Sequence, residues 1–89
     1  MMNANEAKRM TNEVKEEEAQ KTREAARQTC ETAISRRIED AARNGYNTAF
    51  HADDKYICDK EFYRAVEQYL EDRGYKVYQQ SARVITIEW

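Results

Sequence analysis

The apolar positions of this chain fall into three regimes. Across residues 3–28 they are sparse. Ala7, Met10 and Val14 recur at helical spacing, and after Val14 the residues are mostly charged up to Ala25. Ala, Glu, Lys, Arg and Gln dominate the stretch, and all are good helix formers. Glu17 stands four residues before Lys21, the favourable order for an ion pair on a helix face. A helix with so narrow a stripe does not sustain an isolated fold. It is either a solvated extension or an arm that packs on another subunit or another protein. The second is expected, because long charged helices rarely persist without a partner. Met10 and Val14 are then the residues to be buried there.

From Ala26 the spacing changes. Ala26, Cys30, Ala33, Ile34, Ile38, Ala41 and Ala42 repeat at three- and four-residue steps and predict an amphipathic core helix. Asn44-Gly45 ends it, with Gly45 in the left-handed position of a helix C-terminus. No helix breaker lies between Asn5 and Asn44, so arm and core helix read as continuous. A second helix is predicted after Asp59, whose carboxylate suits an N-cap. Ile57 and Tyr63 are placed to staple its start. Phe62, Val66, Tyr69 and Leu70 form its buried stripe, and Gly74 closes it.

The remaining stretches alternate with the period of a strand. Residues 46–52 present Tyr46, Thr48 and Phe50 on one side and Asn47, Ala49 and His51 on the other. The aromatic side is expected to face the core. Residues 53–55 read as a polar loop. Residues 75–79 and 83–89 are two further strands, with Ile85, Ile87 and Trp89 on one face of the last, and they should form a hairpin. The prediction is an α+β fold: a long N-terminal helix, then β-α-β-β, with helices on one face of a three-stranded antiparallel sheet. Residues 1–25 form the polar helical arm and residues 26–89 the small α+β domain.

Composition narrows the function. The chain has 89 residues, no proline and two glycines, which favours few, long elements. A domain this small is marginally stable, and association would add to it. The net charge is -2. Without a basic field, nucleic acid is not an expected partner. No apolar run is long enough for a membrane span, and residues 1–10 lack the apolar core of a signal peptide. The expected location is the cytoplasm or a particle assembled there. Cys30 and Cys58 are widely spaced and read as small buried hydrophobes rather than a disulfide.

Candidate chemistry is thin. His51 lies close to Asp53 and Asp54, but structural zinc takes four nitrogen or sulfur ligands, and a solvated strand end is the simpler reading. Arg36-Arg37 is neutralised by Glu39 and Asp40 through helical spacing. There is no glycine-rich phosphate loop, nucleophile elbow or HExxH. We therefore expect no enzyme, no cofactor and no metal. Tyr46, Phe50, Phe62 and Tyr69 fall at core-facing positions. Tyr56, Tyr63 and Tyr78 are expected to be exposed and, with Met10 and Val14, to bind a partner.

Ile34, Ile38, Ala41, Ala42 and Gly45, then Leu70, Gly74, Tyr75 and Val77, then Ile87 and Trp89 make a connected pattern. An Ile-rich helix ends in glycine, a second helix leads into a Gly-Tyr-x-Val strand, and an Ile-x-Trp strand follows. The pattern resembles a group of small proteins encoded by tailed bacteriophages, most of which have no assigned biochemical function. The resemblance covers about two thirds of the chain. It implies a non-enzymatic accessory protein, either a virion structural or assembly component that binds neighbouring subunits through its arm and sheet edge, or an early protein that inhibits or sequesters a host protein or signalling nucleotide. The partners it implies are further copies of the chain or another virion or host protein, in the host cytoplasm or the virion.

Overall fold

The computed structural model describes residues 1–89. One helical rod runs through three segments: α1 (Ala4–Thr29), a π-helical turn (Cys30–Ile34) and α2 (Ser35–Arg43). Forty residues at 1.5 Å each give a rod of about 60 Å. The molecule measures 63 × 22 × 17 Å, so the rod sets its full length. Asn3 caps the rod, its side-chain oxygen accepting the Glu6 N–H at 2.9 Å.

The π turn adjusts which residues face inward. In an α-helix, residues four apart are offset by about 40°. The Ser35 N–H reaches back to the Cys30 carbonyl, a wider i→i+5 turn that brings residues four apart closer to register. Cys30 and Ile34 are both buried as a result. Thr32 contributes by donating its hydroxyl to the Gln28 carbonyl at 2.7 Å, a bond known to bend helices.

After the rod come β1 (Thr48–Ala52), a single turn α3 (Lys55–Cys58), α4 (Lys60–Glu71), β2 (Lys76–Gln79) and β3 (Val84–Glu88). The sheet has order β1-β3-β2 with both pairings antiparallel, and β2 and β3 form the expected hairpin. The α+β reading and the three-stranded antiparallel sheet are therefore observed. Both glycines act as read from the sequence. Gly45 and Gly74 have φ of 84° and 91°, and in each case the following residue's N–H bonds back five residues, Tyr46 to Ala41 and Tyr75 to Leu70. This is the glycine-terminated helix end in which a Cβ would be strained. Asp59 caps α4 by accepting the Phe62 N–H at 3.0 Å.

The core lies where the C-terminal part of α1 and α4 cross over the inner face of the sheet. Ile34, Phe62, Val66, Ile85 and Ile87 are its largest fully buried side chains, joined by Ala26, Cys30, Tyr56 and Leu70. Eleven of 89 residues are buried, so each one matters to a domain of this size. The Tyr69 hydroxyl donates to Glu31 at 3.0 Å, tying α4 to the rod at the rim of the core.

Several expectations are corrected. Ala33 and Ala42 are exposed, because the helix stripe is narrower than the alanines suggest. Tyr69 is only half-buried. Cys58 is exposed at the end of α3 and Cys30 is buried, and both are free thiols. Burial pushes the Cys30 thiol up to about 12, with Arg73 and Glu31 acting in opposite directions. Residues 53–55 lead directly into α3 instead of forming an open loop. That turn leaves Ile57 exposed, and Tyr63 meets the ring of Tyr56 edge-on.

Candidate functional site

The inner face of β1 holds the buried polar pair. β1 inverts the sequence reading: Ala49 and His51 face inward, and Tyr46 and Phe50 are 67% and 50% exposed. The cause is space and pairing. Ala49 and His51 stand opposite Ile87 and Ile85, the innermost residues of β3. The small Ala49 side chain admits α2 over the strand. His51 finds a hydrogen-bond partner inside, its Nδ1 lying 2.7 Å from the Tyr56 hydroxyl.

Tyr56 is thus buried, not exposed, and cannot meet a partner directly. It stacks on Phe62 at 5.7 Å and meets His51 and Tyr63 edge-on. Burial, then Asp53 nearby, keeps its phenol protonated well above the usual range. Burial also holds His51 below its ordinary value, with Asp53 opposing and Arg37 assisting. A neutral imidazole and a protonated phenol therefore share this hydrogen bond, which satisfies both groups. Asp53 is engaged elsewhere, accepting the Lys55 N–H at 2.9 Å, and Asp54 lies 3.5 Å from Arg83. No group of three His, Cys, Asp or Glu side chains converges as metal ligands would. The His51–Tyr56 pair is a core element.

The rod's first half is a different surface. Every residue from 4 to 18 is exposed. Met10 and Val14 are 53% and 48% exposed and, with Met2 and Ala7, line one shallow apolar stripe. Ala26, which seats the rod on its own body, lies twelve residues after Val14. At 100° per residue, Val14 and Met10 point about 120° and about 160° away from Ala26. The rod runs past the body here, and no residue of this stretch is buried by it. Helical position also puts Glu6, Glu13 and Glu17 along one border of the stripe, and Lys8 and Lys15 along the other.

The outer face of the sheet is uncovered. Phe50 and Tyr78 both pair with Thr86, so the three form one row across it. Tyr78 is 50% exposed, as expected. Tyr63 is half-buried, and burial, with Glu67 beside it, raises its phenol to about 12. The five residues expected to bind a partner are therefore not one site. Met10 and Val14 lie on the arm, Tyr78 lies on the outer sheet face, and Tyr56 and Tyr63 belong to the α3–α4 packing.

Sequence reasoning missed Tyr46, Phe50, Arg37 and Asp40, which together border a groove of about 400 Å³ between α2 and β1. A usable signal was the strength of the Ile85–Ile87 alternation. It fixes the inner face of β3, and the larger aromatics of β1 then fall outside. Arg43, and neither Arg36 nor Arg37, takes Glu39, at 3.1 Å. No helix is long and apolar enough to cross a membrane. Comparisons with protein-family models, curated proteins and solved structures find no match to this chain.

Proposed function

We propose that this chain is a non-enzymatic assembly protein that holds neighbouring subunits through its helical arm and its sheet edge. The observation that carries the reading is the apolar stripe of Met10 and Val14, exposed on a part of the rod that runs past its own body. Burying such side chains is worth roughly 1.5–3 kcal/mol each before ordering costs. A single arm contact is therefore weak. It becomes effective when many copies act together, which suits a repeating particle. The resemblance to small tailed-phage proteins supports a virion as that particle and the host cytoplasm as the place of assembly.

A double substitution in the full chain, Met10→Asp with Val14→Asp, tests the arm. Purified protein should lose incorporation into particles, or concentration-dependent growth in light scattering, while its far-ultraviolet circular dichroism still reports the folded body. Unchanged incorporation and unchanged association would remove the arm from the account.

A second reading rests on the row of Phe50, Thr86 and Tyr78 across the open sheet face. It is an early protein that masks a host factor there. Tyr78→Ala should then abolish capture of one dominant host target and leave particle incorporation intact.

A further inference from the structure

We propose that two copies of this chain join edge to edge through β1, antiparallel and centred on Phe50, to make one continuous sheet. The proposal deepens the assembly reading by naming which edge is used and by what partner. In β1, the Trp89 N–H bonds to the Asn47 carbonyl at one end and the Asp53 N–H to the Arg83 carbonyl at the other, at 3.1 and 2.9 Å. Antiparallel pairs alternate along a ladder. Ala49 and His51 therefore spend their backbone groups on β3, and those of Thr48, Phe50 and Ala52 point to the free edge.

Those three residues are self-complementary. A two-fold axis at Phe50 sets Thr48 against Ala52 of the second copy, Phe50 against Phe50, and Ala52 against Thr48. Three such facing pairs make about six backbone hydrogen bonds. On the outer face the aromatic rows of the two copies become continuous, with the two Phe50 rings adjacent at the centre.

The edge is also undefended. Natural edges are blunted by lysine, proline or extreme shortness. β2 is short and starts with Lys76, whereas β1 reads Thr-Ala-Phe-His-Ala with no charged side chain. Charge complementarity points to a second copy and not to an unrelated strand. Arg37 and Asp40 of α2 line the groove beside β1, and neither takes an ion-pair partner within the chain. The same two-fold axis runs the α2 helices of the two copies in opposite directions, which brings Arg37 of each toward Asp40 of the other.

Register-specific disulfide trapping tests this in the full chain. In a Cys58→Ser background, Phe50→Cys should give a covalent dimer under mild oxidation, because facing residues sit about 5.5 Å apart at Cα, within disulfide reach. Tyr78→Cys, on the opposite edge strand, should not. Phe50→Lys should weaken dimerisation in sedimentation equilibrium at least tenfold, with an unchanged thermal melt at dilutions where both chains are monomeric. Arg37→Asp should weaken it as well, and adding Asp40→Arg should restore it. Three results would each overturn the proposal: a monomer at every concentration, equal trapping at position 78, or a dimer indifferent to Phe50→Lys. If the Met10→Asp, Val14→Asp chain turns monomeric while the Phe50→Lys chain stays dimeric, the β1 edge is excluded and the arm reading stands. The reverse pattern supports the β1 pairing and removes the arm as the contact between copies.

Discussion

The two halves of the helical rod share a conformation and differ in what holds it. Residues 4–18 are helical through their intrinsic preference, the Asn3 cap and continuity with the rest of the rod. Residues 19–43 are helical because Ala26, Cys30 and Ile34 are buried beneath α4 and the sheet. Both halves are rich in Glu, Lys and Arg, so composition does not separate them. The spacing of a few apolar residues does. Where the stripe follows the face toward α4, the helix is part of the core. Where the rod runs past the body, every residue is exposed and the helix gains nothing from it. Helix formation and fold stability are thus distinct properties along one uninterrupted rod.

Substitutions should widen that contrast, beginning with the core half. Ile34→Asp puts a charge at a fully buried position without a partner, which costs several kcal/mol. The body should unfold, read as loss of a cooperative thermal transition. Retention of that transition would mean that the rod is not seated as described.

A smaller effect is expected at the buried polar pair. Tyr56→Phe removes the hydroxyl that satisfies His51 Nδ1 and should cost about 1–3 kcal/mol in urea unfolding. The same pair sets a pH dependence. His51 is held below its ordinary 6.5 by burial, so the unfolded chain binds the proton more readily than the folded one. The stability from a neutral His51 is fully present above pH 6.5 and is lost as pH falls through the folded value. Melting temperature should therefore drop on acidification from pH 7 toward 5. A His51→Gln chain should show a flatter profile over that interval, and an equally steep one would assign the titration to other groups.

The smallest effect belongs to the arm. Met10→Ala with Val14→Ala should change the stability of the isolated monomer by no more than about 0.5 kcal/mol, as for exposed sites that touch nothing. A loss of 2 kcal/mol would show that the stripe is already in use within the chain.

Much of this contrast was legible in the sequence, and the reasons are local. Gly45 and Gly74 each require a left-handed backbone, and Asp59 supplies an N-cap oxygen, so helix ends were readable from single residues. The Ile85–Ile87 alternation fixed the inner face of β3 in the same way. β1 was not readable alone. Each of its sides mixes sizes and polarities, and the choice of Ala49 and His51 for the interior depends on how close α2 comes and on the hydroxyl of Tyr56. Tyr56 itself was misplaced because its burial follows from α3, a single turn with no periodicity to announce it. The exposed stripe of Met10 and Val14 was readable as a stripe. That no part of the body reaches it required the length of the rod beyond α4 to be seen.

Hydrogen exchange on the dilute protein, at a concentration where light scattering gives the mass of one chain, tests the central claim most directly. Amides of residues 5–18 should show only the slight protection of a helix that opens locally, while those of residues 26–38 are slowed by orders of magnitude. Adding particle subunits, or raising the concentration until copies associate, should then protect the first group. Equal protection of both groups in the lone chain would contradict the account.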